Sequence, residues 1–111
     1  MRIISCKVGH LATLSEIYKN LRYMQDFVGG NIETVTSPSG YVLICNEEGL
    51  LKDLPINPVM EFYHSIMMNW PDFIHGDYFI AYRKDDDFTD IPDNDETIEL
   101  LRLLNLERSS R

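Results

Sequence analysis

Asn46, Glu47, Glu48 and Gly49 are the run with the most chemistry to offer in this sequence. An amide and two adjacent carboxylates at the end of an apolar stretch could hold a cation or a basic group of a partner. The same residues also suit a plain polar turn, with Asn46 bonding its own backbone and Gly49 at positive φ. Asn57 stands between Pro55 and Pro58, which hold the chain extended, and its side chain could close a clasp onto that turn.

The second concentration of functional groups is acidic. Asp85, Asp86, Asp87, Asp90, Asp93, Asp95, Glu96 and Glu99 follow one another with no Lys or Arg between them. Those eight acids match the net charge of −8, so the rest of the chain is balanced. A phosphate backbone is gripped by basic patches, and none is visible, so direct nucleic-acid binding is not expected. A basic protein surface is the expected partner, drawn in by the field of Asp85, Asp86, Asp87, Asp90 and Asp93. Asp85, Asp87, Thr89, Asp93 and Glu96 also fall at calcium-loop positions. The place that needs glycine for the sharp turn is Asp90, however, and a strand leads in. A solvated acidic loop is the expectation there.

The remaining reactive residues make no catalytic pattern. His10, His64 and His75 lie far apart, without the HxH or HExxH spacing that places two imidazoles on one metal. Cys45 has no base to activate it, and no nucleophile elbow or phosphate-binding glycine loop is present. No enzyme, cofactor or metal is expected. Met67-Met68-Asn69-Trp70 carries more apolar bulk than one helix face can bury. Met67 and Trp70 are therefore expected at a partner-binding surface, with a homodimer as one outcome.

The elements that must position these residues follow from periodicity. Arg2 to Val8 alternates as a strand. Thr13 or Ser15 is expected to cap a helix with Leu14, Ile17, Leu21, Met24 and Val28 on one stripe, stopped by Gly29-Gly30. Asn31–Thr36 and Tyr41–Asn46 read as an antiparallel hairpin about Ser37-Pro38-Ser39-Gly40. A helix over Val59–Trp70, a strand over Asp77–Arg83 and a last helix from Asp93 or Asn94 to about Asn105 complete the chain. An Asp93–Glu96 capping box would start that last helix. The fold class is α+β: a single four-stranded, mainly antiparallel sheet with helices packed on it, in the order β-α-β-β-α-β-α.

A chain of 111 residues with 44% hydrophobic content has room for one domain, residues 1–111, with an ordinary core. No segment is long or apolar enough to span a bilayer, and the start lacks the order of a signal peptide. A cytoplasmic protein with Cys6 and Cys45 reduced is expected.

Three stretches carry a family resemblance. Phe27-Val28-Gly29-Gly30-Asn31-Ile32-Glu33, then Leu43 to Gly49, then Leu54-Pro55-Ile56-Asn57 resemble the domain of unknown function 3846. Its members are small proteins of phages, plasmids and their hosts. Weaker likeness continues through Ile74–Ile80 and Asp87–Ile91. Val59 to Asp72 departs from the family's shorter, more polar connection, and Pro58 replaces a basic residue whose role does not transfer. The resemblance implies a fold and a mobile-element setting, and no established reaction.

The functional expectation is a non-enzymatic acidic interaction protein. It would bind and modulate a host protein, in its sharpest form a nucleic-acid-handling defence enzyme inhibited in the anti-CRISPR or antirestriction manner. The alternative is a nucleotide or signalling ligand held between the sheet and the Val59–Trp70 segment.

Overall fold

The computed structural model describes residues 1–109. Its main sheet has six strands, all paired antiparallel: β1 (Arg2–Cys6), β2 (Thr13–Glu16), β3 (Ile32–Thr36), β4 (Tyr41–Asn46), β7 (Tyr78–Lys84) and β8 (Asp87–Thr89). The order is β2-β1-β7-β4-β3, with β8 also on β7. Two further strands, β5 (Ile56–Pro58) and β6 (Phe73–His75), pair with each other apart from that sheet. The helices are α1 (Leu21–Val28), α2 (Phe62–Met68) and α3 (Asp95–Ser109). The α+β class and antiparallel sheet agree with expectation, but the count of four strands does not.

The first extra strand comes out of the expected first helix. Thr13–Glu16 pairs with Arg2–Ser5 instead of coiling. Leu14, Ile17 and Leu21 fit a helical stripe, but Thr-Leu-Ser-Glu also alternates, and pairing on β1 wins. The true helix starts at Asn20, whose side chain accepts from the Tyr23 N–H, and ends at Gly29 in the left-handed conformation (φ 82°).

The second extra strand comes out of the expected acidic loop. Asp85 and Asp86 both take positive φ (53° and 61°), so the chain turns tightly and Asp87–Thr89 pairs back onto Tyr82–Lys84. Aspartate tolerates that conformation better than most side chains, and two in succession suit a hairpin turn.

The other helices also shift. Val59 and Met60 are buried ahead of α2, and Asn69 closes that helix at φ 58°. The last helix is capped by Asn94, which accepts from the Thr97 N–H, so the Asp93–Glu96 box is not what starts it. It continues past Asn105 to Ser109.

Strand alternation builds two cores on opposite sides of the sheet. Ile4, Cys6, Tyr41, Leu43, Cys45, Tyr78 and Ile80 face Leu100 and Leu104 of α3, together with Val59, Met60 and Trp70. Ile3, Val42, Ile44, Phe79 and Ala81 face Met24 and Val28 of α1. All six residues of β4 are buried, as a central strand covered on both faces requires.

Candidate interaction surface

The expected site residues lie on three separate parts of the fold, and no bond or ion pair joins one group to another among the described residues. Asn46, Glu47 and Glu48 end β4. The acids occupy the β7–β8 hairpin and the approach to α3. Met67 belongs to α2, and Trp70 follows it.

Asn46 is buried, and its amide serves the backbone. Its Nδ2 donates to the Val28 carbonyl at 3.2 Å, and its Oδ1 accepts from the Glu48 N–H at 2.8 Å. It ties the end of α1 to the turn after β4. Gly49 is not in the left-handed region; a Cβ there would lie 2.4 Å from the His75 carbonyl oxygen. Glycine is needed for close approach to β6 and not, as the turn chemistry suggested, for positive φ. Glu47 is exposed and Glu48 half-buried.

Asn57 is fully buried and does form a clasp, but to different partners than expected. Its Nδ2 donates to the Cys6 and Gly76 carbonyls at 3.0 and 2.9 Å, and its Oδ1 accepts from Arg108 at 2.6 Å. The Arg108 guanidinium also donates to the carbonyls of Lys7, His10 and Pro58. Proline sequence and a family signature marked Asn57; nothing in sequence marked Arg108, because its acceptors are mostly backbone carbonyls from distant segments.

Most of the acids have local work. Asp87 accepts from Lys19 at 2.5 Å, and that bond, helped by the Phe88 N–H, holds its carboxyl below the ordinary range. Asp90 accepts from the Arg2 N–H at 2.8 Å. Asp95 and Glu96 occupy the first turn of α3, where the helix dipole favours negative charge. Glu99 is lowered first by its bond from Arg102 and more weakly by the charge of His64. Asp85, Asp86 and Asp93 are exposed and make no side-chain bond among the described residues.

The least expected surface is α2. Phe62, Tyr63, Ile66 and Met67 are each 62–70% exposed, while Ser65 is buried and bonds the Met60 carbonyl. The helix turns Ser65 inward, with Met68 packed on the core. The buried hydrophobic anchors of this segment are Val59, Met60 and Trp70, outside the helix. Trp70 is thereby removed from the surface, with its Nε1 donating to the Val35 carbonyl at 2.9 Å on the edge strand β3. Met67 remains on the surface as expected, joined by Phe62, Tyr63 and Ile66. The paired doublets Phe62-Tyr63 and Ile66-Met67, with His64-Ser65 between them, are the signal that could have shown it. Glu61, 2.7 Å from the His64 ring, supplies a carboxylate nearby.

Both cysteines are free, on strands separated by β7. Burial pushes the Cys6 thiol up to about 12 and the Cys45 thiol to about 11, so neither is a nucleophile at neutral pH. No three His, Cys, Asp or Glu side chains converge as metal ligands among the described residues. No helix among them is long and apolar enough to cross a membrane.

Comparison with curated proteins and with solved structures returned no match. A family model does match, over residues 1–104, so nearly the whole chain is covered. The matched range includes residues that lock the fold: Gly29 at the helix stop, Asn46 and Gly49 between α1 and β6, Asn57 between β1 and α3. On that match, the chain belongs to the family described as domain of unknown function (DUF3846).

Proposed function

We propose that this chain is a non-enzymatic protein-binding module that contacts its partner through α2. The observation that carries this reading is the outward face of Phe62, Tyr63, Ile66 and Met67. Contiguous exposed apolar side chains are uncommon on monomers, and aromatic residues with Met are enriched where proteins meet. Glu61 beside that face, and the free carboxylates of Asp85, Asp86 and Asp93 elsewhere on the molecule, favour a partner with a basic surface. In its sharpest form the partner is a host nucleic-acid-handling defence enzyme, inhibited by a mobile-element protein of the anti-CRISPR or antirestriction type. The mobile-element setting comes from the family resemblance.

A ligand between the sheet and the Val59–Trp70 segment has no comparable support, because Val59, Met60 and Trp70 fill that space with buried side chains. The test is retention of proteins from nuclease-treated host lysate by the tagged chain, at low and moderate salt. One stoichiometric partner, lost in a Phe62→Ser/Met67→Ser variant and weakened by salt, supports the reading. Retention unchanged in that variant overturns the α2 contact.

A further inference from the structure

The α1 side of the sheet is only partly covered. Helix α1 has eight residues and packs on Val42, Ile44 and Phe79. The β1–β2 hairpin beyond it lines an open hollow of about 580 Å³ whose walls include Ser5, Lys7, His10, Thr13 and Ser15. Alternation creates this grouping. Thr13 and Ser15 pair with Ser5 and Ile3 and share their face, whereas Leu14 and Glu16 point to the other. Three hydroxyls, an ammonium and an imidazole thus meet, with no carboxylate in the lining. In a chain of net charge −8 that is a local reversal of sign.

These side chains are also unspent. None of the three hydroxyls bonds to protein among the described residues, and neither Lys7 nor His10 is paired with a carboxylate there. Ser5 is 9% exposed, with its hydroxyl unpartnered by protein and open to the hollow. Lys7 is positioned by its place over the Phe27 ring, 5.5 Å from the centroid, and keeps its N–H groups for other use. Elsewhere, Asp77 accepts from the Val8 N–H and Asp26 pairs with Arg22.

From this geometry we infer that the hollow binds a phosphate group, carried by a small organic phosphomonoester or present as the free ion. Hydroxyl donors and a lysine point charge suit phosphate oxygens, which accept several bonds at once. This site is separate from the α2 face and does not depend on the protein-binding reading.

The test is a titration of the ¹⁵N-labelled protein with inorganic phosphate and, separately, with adenosine monophosphate, at ionic strength held constant with sodium chloride. Saturable amide shifts confined to Ser5, Lys7, His10, Thr13 and Ser15 and their neighbours are expected. Lys7→Met, which keeps the apolar stem over Phe27, should weaken binding by about tenfold or more. Ser15→Ala, at an exposed position that cannot upset the fold, should weaken it by a few fold. Lys19→Met, which removes a lysine from the other hairpin, should leave it unchanged. Tighter binding of the nucleotide marks an organic phosphate ligand, and equal binding marks the anion alone; both support the site. Shifts that never saturate, or equal weakening by Lys7→Met and Lys19→Met, would overturn it.

Discussion

The buried amide of Asn57 accepts a 2.6 Å hydrogen bond from the Arg108 guanidinium, joining a short strand near the middle of the chain to the last turns of the final helix. The same guanidinium reaches the carbonyls at Lys7 and His10, so one arginine gathers the exit of β1, the start of β2 and the β5 segment. Loss of Arg108 leaves the buried Asn57 Oδ1 without a donor, and loss of Asn57 removes the donor of the Cys6 and Gly76 carbonyls. Arg108→Ala and Asn57→Ala should each cost about 3 kcal/mol in urea unfolding. Arg108→Lys should recover little, because an ammonium cannot span the same fork of acceptors. Wild-type stability in Arg108→Ala would remove the hub from the account of the fold.

Gly49→Ala should destabilise the protein by about 2 kcal/mol, since the new Cβ would sit 2.4 Å from the His75 carbonyl and backbone must move. Gly9→Ala is the informative comparison. Nothing lies within 4 Å of its added Cβ, so only its positive φ of 77° is penalised, at about 1 kcal/mol. Equal losses at the two sites would show that close approach is not what Gly49 provides.

The cysteines set an alkaline limit. Their folded values of about 12 and about 11 lie above the ordinary 9.0, because burial disfavours the thiolate. Below pH 9 folded and unfolded chains both keep these protons, and stability is complete. Above pH 9 the unfolded chain releases them first, so stability falls by up to about 1.4 kcal/mol per pH unit for each thiol until the folded thiols titrate. Urea midpoints between pH 7 and 10.5 should show that decline, and Cys6→Ala should flatten it. At pH 8 a thiol reagent should label neither cysteine until the protein is unfolded.

Substituting Phe62, Ile66 and Met67 by Ser should change unfolding stability by no more than about 0.5 kcal/mol each, as exposed side chains do. The same changes should abolish partner capture and any concentration-dependent sedimentation. A loss of several kcal/mol per site would mean that the face is buried in the folded protein and available to no partner.

Much of the architecture was written locally. Tyr41–Asn46 announced a central strand by its nearly continuous apolar run, Gly29 marked a helix end through the conformation it favours, and the start of the last helix was narrowed to Asp93 or Asn94. The free acids Asp85, Asp86 and Asp93 and the surface position of Met67 were also readable, because charge and excess apolar bulk are properties of composition. The burial of Trp70 and the work of Asn46 were not, since their partners, the Val35 and Val28 carbonyls, lie in remote segments.

Where two periodicities overlapped, only tertiary pairing could choose. Thr13–Glu16 fits both a helix stripe and an alternating strand, and the free edge of β1 decided for the strand. Asp87–Thr89 became a strand because β7 runs on to Lys84 and offers it an edge. The sequence by itself determined the strand-rich core, the glycine stops and the placement of charge, all of which depend on a residue and its near neighbours. Tertiary structure alone decided which side of α2 faces water and which groups Arg108 gathers, because both depend on what the sheet had already buried from elsewhere in the chain.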